Sequence, residues 1–233
     1  MASETTITLY RADGACSLIP HTILTHFGIP FKAVPMVPSA TDLTKGFRYA
    51  AADGSLSHEE YLAIHPMGYV PALVVTSDSQ STVITEMPAV LSYISSLAPD
   101  QHLLGETPLE KAKVLEWLSW LAGTLHGRAF GGLFRPARST DNEAAFEGIK
   151  SRGHELVKEC FARIDEGLSG REFAVGDRLT AVDFNLYPFY RWATMHKFDL
   201  ETYPAYTKHI KKLEALEGVQ KAVAVEGRKL LFA

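Results

Sequence analysis

At 233 residues, 46% of them apolar, the chain is long enough for one large domain or two modest ones and can build a sizeable core. A formal net charge of −4, with its basic residues scattered, argues against general binding to nucleic acid or to an anionic membrane. Two cysteines, Cys16 and Cys160, make neither a disulfide framework nor a metal motif and fit a reducing, cytosolic compartment.

The N-terminal "MASETTITLYRADG" lacks the basic and apolar regions of a secretory leader. No stretch approaches the roughly 18 apolar residues that span a bilayer. "TITLY" (6–10) alternates and reads as a strand. "CSLIPHTILTHFG" spaces Leu18, Ile19, Ile23 and Phe27 as a helix, carries Pro20 in its first turn and stops at Gly28. "PFKAVPMV" (30–37) is a second strand, so the segment is a βαβ unit with an expected right-handed crossover. Residues 38–60 are polar and rich in Ser, Asp, Gly and Ala, which predicts a loop with at most one helical turn. "YVPALVV" (69–75) and "STVIT" (81–85) are strands joined by the turn "TSDSQ", and "MPAVLSYISSLA" is a helix that ends before Pro99.

From about residue 107 the pattern is helical only. "PLEKAKVLEWLSWLAGTLHGRAFGGLF" opens on Pro108 and carries Leu115, Leu118, Leu121 and Leu125 along one face. "NEAAFEGIKSRGHELVKECFARIDEGLSG", "TAVDFNLYPFYRWATMHKF" and "YPAYTKHIKKLEALEGV" predict three more helices. Thr180 and Asp183 have capping-box spacing, with Asp in place of Glu. "IKK" (210–212), the densest basic cluster, reads as a solvated helix face. The expected domains are therefore 1–98, α/β in pattern, and 107–233, all helical, with 99–106 as a turn-rich linker.

Cys16 falls between a strand and a helix, in a loop with Gly14 and Ala15 that would leave it accessible. A helix N-terminus favours a thiolate, so Cys16 reads either as a reactive thiol or as a small buried hydrophobe. Cys160, mid-helix between Val157 and Ile164, reads as packing. Pro71 stands just before a strand, where a cis bond would turn the Val70 backbone toward an extended ligand; on the local sequence trans is favoured. "TEMPA" opens a helix whose free N–H groups suit a carboxylate, and Glu86 beside it could hold an ammonium group or simply end the helix. His126 reads locally as a packed or solvated histidine, and Trp117 and Trp120 as core. No histidine shows metal spacing.

Taken together these segments resemble the glutathione transferase family, and within it the bacterial-type beta class. "GACSLIPH" is similar to that class's signature; "HPMGYVPAL" resembles "NPKGxVPAL", "ITEMPAV" resembles "LTExxAI", and "TLHGRAFGGLFRP" resembles "ELHxxFxxLFRP". "VGDRLTAVDFNLYPFYRWA" is similar to the family's capping-box helix, and the match runs from about residue 6 to the C-terminus. The resemblance implies a thioredoxin-like N-terminal domain, an all-helical C-terminal domain, a glutathione site, a hydrophobic acceptor site and a homodimer. It places Cys16 opposite the glutathione sulfur and makes His126 the active-site histidine. Val70 would pair with the cysteinyl part, Pro71 would be cis, and Glu86 with Met87 would hold the γ-glutamyl end.

The sequence also departs from the pattern. Met87 stands where the family has a carboxylate-binding serine, Met67 where it has lysine, and Ser119 and Gly127 where it often has asparagine and lysine. The 40–60 segment is longer than usual and suits a lid or part of the acceptor site. The expected chemistry is glutathione conjugation, thiol transfer or glutathione-assisted isomerisation of a small hydrophobic electrophile, with Phe130, Phe134, Arg135 and, less directly, Tyr10 lining the acceptor. The alternatives are a dedicated tailoring enzyme of a biosynthetic pathway, or a non-catalytic ligand-binding protein on the same fold.

Overall fold

The computed structural model describes residues 5–39 and 47–232. They fall into two compact units, one of residues up to 103 together with 213–232, the other of residues 104–212. No helix among the described residues is long and apolar enough to cross a membrane.

The first unit is a five-stranded sheet carrying helices. Strand β1 (Thr6–Arg11) lies at its centre, parallel to β2 (Lys32–Pro38) and antiparallel to β4 (Ala72–Ser77). The crossover is α1 (Leu18–His26), which buries Leu18, Ile19, Ile23 and Leu24. Gly28 (φ +63°) ends it, and Ile29 N–H closes back on Leu24 O at 2.9 Å. Strand β5 (Gln80–Ile84) pairs with β4 through a hairpin whose two central residues, Asp78 and Ser79, both take positive φ, the twist that suits a two-residue turn. Helix α3 (Met87–Ser96) follows.

The stretch read as a loop with a helical turn holds a strand and the first turn of a helix. Strand β3 (Tyr49–Ala51) adds to β2 antiparallel and makes the sheet order β3-β2-β1-β4-β5. Helix α2 (His58–Ile64) starts on a full capping box, Ser57 accepting from Glu60 N–H and Glu60 from Ser57 N–H. A three-residue strand has too little alternation to be seen in sequence; its pairing with β2 makes it. The lid suggested for 40–60 falls in part on 40–46, outside the described residues.

The predicted final helix is two helices, α8 (Pro204–Glu214) and α9 (Glu217–Val225), broken at Ala215–Leu216. The chain from Leu213 onward groups with the first unit, where α9 packs on α1. That packing is close: a Cβ on Gly218 would lie 2.3 Å from His26 Cα, so only glycine fits. Glu214, buried, accepts the N–H groups of Leu231 and Phe232 at 2.8–2.9 Å and ties down the tail.

The second unit is helical. Helix α4 (Pro108–Trp120) starts on a Thr107–Glu110 capping box and continues without a break into a wider, π-helical stretch, Leu121–Phe130, and then α5 (Gly131–Phe134). The buried stripe is Val114, Leu118, Leu121 and Leu125; Leu115 is 59% exposed, one residue and about 100° off it. In the π stretch a longer turn keeps Leu121, Leu125 and Ala129 on the inner face. Helix α6 (Phe146–Leu168) lies against it so tightly that a Cβ on Gly153 would sit 2.6 Å from Leu133 N. Helix α7 (Ala181–Met195) is buried over most of its length. Its rings Phe184 and Phe189, with Phe130, Phe161 and Tyr206, fill the core. Trp117 and Trp120 are half-buried at the margin instead, edge-on at 5.7 Å, with the Arg163 guanidinium over Trp120.

Candidate functional site

In the first unit, Cys16, Val70 and Tyr10 come together at the end of β1 and the turn before β4. Cys16 lies in the loop between β1 and α1, two residues before the helix. It is not freely accessible, as the small neighbours had suggested; it is only 9% exposed, and its Sγ donates to Val70 O at 3.3 Å. The loop is held from below: Ser17, which leads into α1, spends its hydroxyl on Ala12 N–H (3.0 Å) and Ala12 O (3.2 Å) rather than on capping the helix.

The Val70–Pro71 bond is cis. Val70 is buried, and among the described residues its N–H has no acceptor. The turn before it is braced by Gly68 N–H to His65 O (2.7 Å) and Met67 N–H to His65 Nδ1 (3.3 Å). Gly68 takes φ +64°, and a Cβ there would collide with the His58 ring at 2.8 Å. Met67, which replaces the expected lysine, is 64% exposed. Glu86 is exposed at the start of α3 with φ +64°, and Met87 is the first residue of that helix, half-buried.

Aromatic rings line this region. Ala12, Met36, Tyr49, Ala51, Tyr61 and Val70 belong to one buried cluster, with Tyr10 and Phe47 half-buried against it. Tyr10 meets Tyr61 at 5.4 Å. Burial raises the pKa of both hydroxyls, that of Tyr61 far more, with Tyr10, Tyr49 and Cys16 nearby adding to it. At neutral pH both are donors and neither is a base. His65, where the motif has asparagine, is nearly buried; burial lowers its pKa, and the Glu86 charge opposes this. Neither Tyr61 nor His65 is marked by a motif as functional, because a tyrosine on a short helix and a histidine at its end look like packing. The capping signal at Ser57–Glu60 could have marked the helix that carries Tyr61.

In the second unit the predicted residues run from the π stretch through α5 to Arg135, and His126, Phe130 and Phe134 pack against rings of α7. The His126 ring packs against Phe189 (5.9 Å) and Trp192 (5.5 Å). Burial, with Arg135 and Arg138 adding to it, lowers its pKa to about 4, so it is neutral at physiological pH. Phe134 is half-buried against Trp192 and His196. Phe130 is fully buried and stacks on Phe189 at 5.9 Å, which makes it a core ring rather than the wall of an acceptor site. Cys160 is buried and its thiol is pushed up to about 11, so it is inert packing. No cluster of metal ligands occurs among the described residues.

The pattern of the glutathione S-transferase C-terminal domain matches residues 143–217. A glutathione S-transferase of Escherichia coli is 28% identical over 222 residues, 95% of this chain and 99% of that protein. The structure of a sphingomonad glutathione S-transferase complexed with glutathione is 31% identical, with a TM-score of 0.77 over 94% of this chain and 98% of that one. A beta-class enzyme of Sphingomonas chungbukensis is 29% identical with the same TM-score over the same shares. The thioredoxin-like sheet unit and helical unit expected from sequence are the fold of these proteins, and the chain belongs to the glutathione S-transferase family.

Proposed function

We propose that this protein is a glutathione transferase whose leading reaction is thiol transfer through Cys16. The observation that carries the reading is the Cys16 thiol seated on the Val70 carbonyl, beside a buried Val70 N–H that has no acceptor among the described residues. A glutathione strand paired along Val70 would satisfy that N–H and set its sulfur next to Cys16. Glu86 would take the γ-glutamyl ammonium and Met87 N–H its carboxylate. With no serine hydroxyl at position 87, glutathione loses one hydrogen bond to a charged group, about 1.5 to 3 kcal/mol.

In the reaction, Cys16 loses its proton and its sulfur attacks the glutathione sulfur of a glutathionylated substrate. The substrate thiol leaves and takes a proton, and Cys16 is left as a mixed disulfide with glutathione. A second glutathione thiolate then displaces Cys16 and gives oxidised glutathione. His126, neutral at working pH, would orient the acceptor with Phe134 and Arg135. The homodimer belongs to the same proposal, and light scattering on the purified protein tests it.

Cys16→Ser separates thiol transfer from conjugation. Reduction of the mixed disulfide of glutathione and mercaptoethanol should fall at least a hundredfold. Conjugation of a chloronitrobenzene, which needs only a bound glutathione thiolate, should fall far less. Equal loss of both would reject Cys16 as the nucleophile, and no loss of either would reject the site.

A further inference from the structure

We infer that Tyr61 is the positioning residue of the glutathione-binding edge, an inference that rests on the functional reading above. Tyr61 comes from α2 and is fully buried, and its hydroxyl donates to the Tyr69 carbonyl oxygen at 2.6 Å. That carbonyl and the Val70 N–H belong to a single peptide unit. Among the described residues the cis bond is Val70–Pro71, so the Tyr69–Val70 unit is trans and its C=O and N–H point in opposite directions. Holding the carbonyl on the buried hydroxyl therefore turns the N–H the other way, where among the described residues no acceptor meets it. The next carbonyl along, Val70 O, receives the Cys16 thiol.

One side-chain hydroxyl thus sets the direction of the donor that would read the cysteinyl part of glutathione, one residue from the contact that seats the reacting sulfur. The braces on the preceding turn, Gly68 N–H to His65 O and Met67 N–H to His65 Nδ1, do not touch this peptide unit.

A hydrogen bond made equally to bound glutathione and to the transition state alters KM and not kcat. Tyr61→Phe should therefore raise KM for glutathione about tenfold and leave kcat within about twofold. The matched control is Tyr206→Phe in the helical unit, where an equally buried hydroxyl donates to Leu186 O, also at 2.6 Å. It should lower the melting temperature by a similar amount and leave KM unchanged. A KM that moves alike in both variants, or in neither, would overturn the inference. A wild-type protein that neither binds nor turns over glutathione would sink the functional reading instead. The Val70 amide dipolar coupling in the ligand-free protein then decides: a change in Tyr61→Phe but not in Tyr206→Phe sustains the positioning role, and an unchanged coupling removes it.

Discussion

Each unit contains a buried carboxyl group that holds a turn, and the two do so over very different distances along the chain. Asp183, with a fully buried side chain, accepts Thr180 N–H (2.6 Å), the Thr180 hydroxyl (2.8 Å) and Ala174 N–H (2.8 Å), all within nine residues of it. Glu226, equally buried, accepts Gly14 N–H at 2.6 Å and meets His21 Nδ1 at 2.8 Å, partners 212 and 205 residues earlier in the chain. The Arg11 guanidinium stands 3.9 Å away and also pairs with Asp13, while Arg228 donates to Asp13 O at 2.7 Å. The chemistry is the same: a carboxyl group gathers donors that would otherwise be buried without partners. The purposes differ. Asp183 starts a helix, whereas Glu226 pins the loop that leads into Cys16, using a segment from the far end of the chain.

This comparison can be broken by mutation. Glu226→Ala should have the largest effect, because it leaves His21 and the Gly14 N–H buried without their acceptor and takes the second carboxylate from beside Arg11, a loss of about 3–5 kcal/mol. The melting temperature should fall by roughly 10 °C, and iodoacetamide should label Cys16 faster. Unchanged labelling would mean that the tail stabilises the unit without governing the loop. Asp183→Asn should cost about 2 kcal/mol, since the local donors keep one neutral acceptor. It should leave Cys16 labelling as in the wild type; faster labelling there would show that the two carboxyl groups are not independent.

The last effect concerns pH. His126 takes up a proton near its ordinary 6.5 when unfolded and near 4 when folded. Between those values the unfolded state binds more protons, so stability falls as pH drops through the window. Melting curves from pH 7 to 4 should show this slope, and His126→Gln should flatten it. An equally steep slope in the variant would place the acid sensitivity elsewhere.

How much could be read from the sequence follows the same division. The Thr180–Asp183 box, the Gly28 stop, the Pro108 start and the strand–helix–strand opening are local patterns, and each stands where it was expected. The inner stripe of α4 was read one residue late at its start, because Leu115 and Val114 are both apolar and only packing tells which one faces inward. Strand β3 is not legible because three residues have no period of their own, and α2 reads as no more than a turn because its capping box lies in a stretch polar enough to pass for loop.

The sequence by itself determined the order of the elements, the caps that bound most of them and the candidate nucleophile, because these depend on residues within one or two turns of each other. The tertiary structure decided that Cys16 is buried on the Val70 carbonyl, that Phe130 is core, that Tyr61 holds the Tyr69 carbonyl and that Glu226 reaches back to Gly14. Those facts depend on which distant backbone groups are brought together without water, and burial, not residue type, sets what such a contact is worth.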